Sequence, residues 1–272
     1  MLVLGIVDFC TLIIISNIAG YLTIVGGFYC SHKDLIYWAG VFALAGWTTT
    51  CCMTVLLSAS RILDLWKPRI SVLMFDGYKT WFWILLPFGY GFYFAAFTPP
   101  LLYSARAGFA LFTNPYANIS GNLEKGFVYV NLSNAINDLI MIVILPILYI
   151  LFFFLLYRGF SGKTNSKEFN SLQRTLFVQS LIICIISFFA SLVYGIFNIV
   201  PASLEFIVFG HFTWMLSHGS QSVIAIVFNR SLRKYIFEQL LPYKIIKVTT
   251  QVSSVKIPSK PNRTTTHNVV II

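Results

Sequence analysis

NAINDLIMIVILPILYILFFFLLY, residues 134–157, holds one charged side chain, Asp138, in 24 residues. At 1.5 Å per residue a helix of that length measures about 36 Å, enough to cross the roughly 30 Å of hydrocarbon in a bilayer. A backbone in lipid must bond within its own segment or within a closed barrel, and this stretch is more than twice as long as a barrel strand. Five further windows share the pattern, at 1–26, 35–63, 80–101, 175–200 and 204–228. The expected fold is therefore all-α, a polytopic transmembrane helix bundle with six spans.

Composition agrees. The chain of 272 residues is 57% hydrophobic and 10% charged, against about 25% charged in a soluble domain, and its mean hydropathy is +0.78. The net charge of +10 does not point to nucleic acid, because the basic residues sit between spans and in the tail rather than in a patch interleaved with aromatics. Of the 19 Lys and Arg, 16 fall in three segments. Arg61, Lys67, Arg69 and Lys79 lie between the second and third spans. Arg158, Lys163, Lys167 and Arg174 lie between the fourth and fifth, and eight more follow the sixth. Cytoplasmic loops carry such an excess, so these segments are expected in the cytosol and the 102–133 loop outside. Its sequons at Asn118 and Asn131 are then candidate glycosylation sites.

Residues 229–241 alternate Leu232, Tyr235, Ile236, Leu240 and Leu241 with Arg230, Arg233, Lys234 and Glu238. That pattern predicts an amphipathic surface helix closing a bundle of residues 1–241. The Ser/Thr-rich basic stretch 242–272 predicts a disordered cytoplasmic tail.

Enzymatic chemistry finds no support. The nine acids are scattered, His211 and His218 have no carboxylate or cysteine at helical spacing, and no phosphate-binding loop or metalloprotease signature occurs. Neither a metal nor a cofactor is expected. The remaining chemistry lies in polar side chains inside spans, which cost free energy to insert and mark functional positions. Asp8 lies about two turns from the cytosolic end of the first span. It is expected either to bond Ser or Asn on neighbouring helices or to act as a polar switch in the helix core. Asp138 and Glu205, near the outer ends of their spans, read either as wetted helix-end acids or as the lining of an external ligand cavity. The other members of that cavity would be Trp47, Tyr194, Asn198, His211 and Trp214. Tyr194 and Asn198, four apart, share one helix face. Pro87 and Pro146 are expected to kink their spans.

Leu56-Leu-Ser-Ala-Ser-Arg-Ile-Leu-Asp-Leu-Trp66, followed by Lys67-Pro-Arg69, resembles the end of the third helix of nematode serpentine chemoreceptors. Within them it resembles class T (Srt). Gly5-Ile-Val-Asp8 with Gly20-Tyr-Leu-Thr-Ile-Val-Gly26, Thr80-Trp-Phe-Trp-Ile-Leu-Leu-Pro87, and Ser217-His-Gly219 followed by Asn229-Arg-Ser-Leu-Arg233 are similar to successive segments of that family. The resemblance implies a GPCR-like bundle in which the six spans stand for helices two to seven, the first being missing. It also implies a small-molecule ligand, a heterotrimeric G-protein partner and a place in the plasma membrane of sensory cilia. Arg61 would then contact the G protein, with Lys67 and Arg69 beside it, and Asp8 would take the place of the second-helix aspartate. Ser60 stands where the family has Asn, and no cysteine in the 102–133 loop is available to pair with Cys30. A truncated, non-signalling receptor fragment and a small multi-pass transporter stay open as alternatives.

Overall fold

A computed structural model describes residues 2–103, 131–160, 167–197, 204–228 and 233–234. The contacts divide the chain into two units, Met1–Phe228 and Asn229–Ile272. Of the second, only Arg233 and Lys234 are described, both helical. The expected surface helix 229–241 and tail 242–272 otherwise lie outside the described residues.

The first unit is a bundle of α-helices. The first span is α1 (Leu2–Leu12), a π-helical stretch (Ile13–Ile18) and α2 (Ala19–Ile24) in one continuous rod. Its buried residues Leu4, Asp8, Thr11, Ile15, Ala19 and Leu22 recur every three or four positions and form one stripe. Gly26, with φ of +64°, ends the rod. The Gly26 N–H reaches Thr23 O and the Gly27 N–H reaches Leu22 O at 2.7 Å, closing the last turn as a left-handed cap does.

The next helix, α3 (Lys33–Trp66), ends where it does because Lys67 precedes Pro68 and is pushed out of the helical region, to φ −141° and ψ 77°. Pro68 then opens a short helix, α4 (Pro68–Phe75), at a position that needs no N–H. This helix lies between the second and third expected spans. Gly77, at φ +62°, turns the chain into α5 (Lys79–Phe97). Three long helices follow: α6 (Leu132–Phe160), α7 (Lys167–Phe197) and α8 (Leu204–Phe228). Both α5 and α6 run unbroken through their prolines.

Packing closes a ring. Helix α3 contacts α6, α6 contacts α7, α7 contacts α8, and α8 returns to α1, which lies on α3; α5 packs against α3. Glycines permit the closest approaches. A Cβ on Gly46 of α3 would stand 2.0 Å from Thr11 Oγ1 of α1, and one on Gly91 of α5 would stand 2.0 Å from Thr49 Oγ1 and 2.9 Å from Ala45 O of α3. Beyond α5, Tyr103 is wholly buried and its hydroxyl lies 2.5 Å from Thr23 Oγ1. Burial pushes its phenol above the ordinary value.

The distribution of polarity is that of a membrane protein. Phe9, Phe42, Phe92, Phe97 and Ile150 are exposed, while Asp8, Thr50, Asn137, Asp138 and His218 are buried. A soluble surface rarely offers so much contiguous apolar area. Five helical segments are long and apolar enough to cross a membrane by length and composition: Val3–Ile24, Lys33–Trp66, Lys79–Phe97, Leu132–Leu155 and Val178–Phe197. Helix α8 has the length, at 25 residues, but His211, Ser217, His218, Ser220 and Gln221 dilute its apolar content. All five are buried within the bundle.

Candidate functional site

The ring encloses a connected set of polar side chains to which α1, α3, α6 and α8 each contribute. On α1, Asp8 is 1% exposed. Its Oδ1 accepts from Thr50 Oγ1 of α3 at 2.8 Å and lies 2.7 Å from His218 Nδ1 of α8. Trp214 Nε1 donates to His218 Nε2 at 3.1 Å. Nε2 must therefore present its lone pair, which places the imidazole proton on Nδ1, donated to Asp8. One turn of α8 thus fixes the tautomer that α1 requires.

The ring of His218 meets that of Trp47 on α3 edge-to-face, with centroids 5.9 Å apart. Trp47 Nε1 donates in turn to Asp138 Oδ1 of α6 at 2.9 Å. Asp138, 0% exposed, also accepts from Asn134 Nδ2 at 3.2 Å and Asn137 Nδ2 at 3.4 Å. Asn137 Oδ1 accepts from Tyr90 OH of α5 at 3.1 Å, and Asn137 Nδ2 lies 3.7 Å from Cys51 Sγ. A path of polar and aromatic contacts therefore runs from Asp8 through His218 and Trp47 to Asp138, Asn137 and Tyr90. Bonding of this kind is what a buried carboxylate needs to be tolerated.

The expected ligand-cavity residues separate into three groups. Trp47, Asp138, Tyr194, His211 and Trp214 come together: the Trp214 ring lies 5.8 Å from Tyr194 and 6.3 Å from His211, both edge-on. All five are buried among the described residues. Glu205 lies in the first turn of α8 and is exposed. Asn198 lies outside the described residues. Of the two sequons, Asn118 also lies outside them. Asn131 is buried, and its side chain is spent on structure. Its Oδ1 caps α6 by accepting from the Asn134 N–H at 2.9 Å, and its Nδ2 donates to Thr98 Oγ1 and Pro99 O.

Sequence reasoning missed the partners. Of the two expectations for Asp8, a bond to Ser or Asn and a polar switch in the helix core, the first named other partners than the threonine and the histidine 210 positions away that it meets. Asn134, Asn137 and Tyr90 were not singled out. The signal available was three amide or acid side chains, Asn134, Asn137 and Asp138, in one turn of an otherwise apolar span.

At the far end of α3, Arg61 is half-buried and pairs with Asp64 at 3.5 Å. Asp64 also accepts a very short hydrogen bond from Ser71 of α4. Lys67 Nζ sits 4.6 Å over the Trp66 ring, and Arg69 is exposed. Among the described residues no three His, Cys, Asp or Glu gather as a metal site.

Comparison with curated proteins gives no match, and comparison with solved structures gives none either. Residues 1–250 match the family model for the serpentine type 7TM GPCR chemoreceptor Srt. With that match over nearly the whole chain and an all-α bundle of membrane-length helices beneath it, the chain belongs to the Srt family of serpentine GPCR chemoreceptors.

Proposed function

We propose that this multi-pass membrane receptor binds an external small molecule and passes the event to a heterotrimeric G protein at the plasma membrane. The observation that carries the reading is the position of Trp47. Its indole N–H holds Asp138 on α6 while its ring abuts His218, the partner of Asp8. A ligand that engages the Asn134–Asp138 turn acts on Trp47 directly, and through it on the α1–α8 contact. Asn134 Oδ1 is buried with no hydrogen-bond partner among the described residues, which gives a ligand donor a place to bond. Packed polar elements with two discrete arrangements are how such coupling is transmitted.

The positive-inside distribution puts the Trp66 end of α3 in the cytosol. Arg61 lies 11 residues beyond Thr50, about 16 Å along the helix, which suits it to report changes near Asp8 to a G protein. Lys67 and Arg69 extend that basic face. Receptors have no need of an active centre, and the chain is read as non-enzymatic, with no resident cofactor.

The test is a small-molecule screen of the full chain with a G-protein readout. Arg61→Ala, matched for surface expression, should abolish the response while leaving ligand binding unchanged. An undiminished response would remove Arg61 from the interface.

A further inference from the structure

The segment joining α3 to α5 is built as a fixed element. Helix α4 hangs its last carbonyls on side chains from the first turns of α5. Lys79 Nζ donates to Leu73 O at 2.9 Å, Trp83 Nε1 to Met74 O at 3.0 Å, and Thr80 Oγ1 to Phe75 O. Carbonyls at a helix end otherwise depend on water. The Phe75 and Trp83 rings pack 5.4 Å apart, and Ser71 bonds Asp64 on α3. These ties set which way α4 faces. At about 3.6 residues per turn, Ser71, Met74 and Phe75 occupy the inner arc, and Arg69, Ile70, Val72 and Leu73 the outer one. Val72 is 61% exposed and Leu73 64%, with Ile70 also exposed.

An outward arc of Ile, Val and Leu on a helix held rigidly in place is matched to an apolar medium. Its location says which. Helix α4 directly follows the membrane-length segment ending at Trp66 and precedes the one starting at Lys79, so it lies at a membrane surface. Trp66, Tyr78 and Trp81 around it are exposed, as aromatic residues at the headgroup level are. At its N-terminal end the accessible charge is basic, since Lys67 sits over Trp66, Arg69 is exposed and Asp64 is taken up by Ser71 and Arg61, while the acid Asp76 stands at the opposite end. We propose that α4 is an interfacial helix, its Ile70–Val72–Leu73 arc seated in the acyl boundary of the leaflet and its Arg69 and Lys67 bound to anionic lipid headgroups. At headgroup depth both cations also remain reachable from the aqueous side.

The test uses the full chain in vesicles with a nitroxide at Leu73→Cys, in a background where the exposed Cys10 and Cys30 are serine. Collision with oxygen, which partitions into lipid, is compared with collision with a water-soluble nickel chelate. In vesicles containing phosphatidylserine the Leu73 label should favour oxygen severalfold over a label at Asp76→Cys, which is exposed at the end of α4. That preference should weaken in purely phosphatidylcholine vesicles, and Lys67→Gln with Arg69→Gln should erase the difference between the two lipids. A Leu73 label that favours the nickel chelate in both vesicles overturns the proposal, as does one shielded only after a G protein is added. Equal immersion in both vesicles overturns its anionic part.

Discussion

His218 Nδ1 lies 2.7 Å from Asp8 Oδ1, and both side chains are wholly buried, on helices that are the first and last of the bundle. The contact closes the ring of helices. It also ties α1 to α3, because the same carboxylate oxygen accepts from Thr50.

Replacing Asp8 with Ala leaves the His218 N–H and the Thr50 hydroxyl without their acceptor in a buried place. The expected loss is about 1–3 kcal/mol. Asp8→Asn retains an oxygen for both donors and should cost under about 1 kcal/mol, since interhelical hydrogen bonds in membranes average only about 0.6. Unfolding of the purified receptor in detergent measures both. Equal losses for Ala and Asn would show that charge, not acceptor geometry, holds the site.

Gly46→Ala and Gly91→Ala should each destabilise by about 1–3 kcal/mol through overpacking, and they should differ in rescue. The new methyl at Gly46 meets atoms of one side chain, Thr11, so Thr11→Ala should restore most of the loss. The methyl at Gly91 also meets the backbone oxygen of Ala45 at 2.9 Å, which no side-chain change removes. Thr49→Ala should therefore restore little. Comparable rescue of both would contradict the close approach of α5 to α3.

The spans were legible because lipid imposes one demand on every residue of a segment, and a run such as 134–157 meets it without regard to partners. Pairings are relational, and this is where reading by sequence stopped. Asp8 was recognisable as costly, and therefore bonded, but nothing local distinguishes a serine neighbour from a histidine 210 positions on. Trp47, Asp138, Tyr194 and Trp214 were grouped as polar and aromatic residues on outer span halves. The same grouping fits a packed core and a ligand cavity, and all four side chains are buried. Helix α4 had a local mark, Lys67 followed by Pro68, which reads equally as the end of one helix and the start of another.

Asn131 and Asn118 should differ in their use. The Asn131 amide donates to Pro99 O at 2.6 Å and Thr98 Oγ1 at 3.1 Å, while its carbonyl caps α6. A sugar on Nδ2 would replace one of the two N–H groups and leave either Pro99 O or Thr98 Oγ1 without its donor. With the 102–133 loop outside, glycosidase should shift the band of the wild type and of Asn131→Gln but not of Asn118→Gln. Asn131→Ala should in addition cost about 1 kcal/mol for the lost cap. A shift that survives Asn118→Gln and vanishes with Asn131→Gln would show that the cap does not form in the mature protein.

Trp47 and Asp138 should be energetically coupled. Trp47→Phe keeps an edge-to-face ring against His218 but removes the N–H that Asp138 Oδ1 accepts at 2.9 Å. Asp138→Ala removes the acceptor for that indole and for two asparagines. Each single change should destabilise the bundle, and the double variant should fall short of the sum by about 0.6 kcal/mol and by no more than about 1.7, the average and the maximum for interhelical hydrogen bonds in membranes. Two controls separate this coupling from general damage. Trp47→Phe with Asp8→Ala should show less coupling, because those residues share no hydrogen bond and are joined through His218 and through Thr50 on α3. Trp47→Phe with Gly91→Ala, which share no hydrogen bond, should be nearly additive. Additivity between Trp47→Phe and Asp138→Ala would mean that the path from Asp138 to Asp8 is broken at its central joint, and signalling would then have to run outside the buried polar chain.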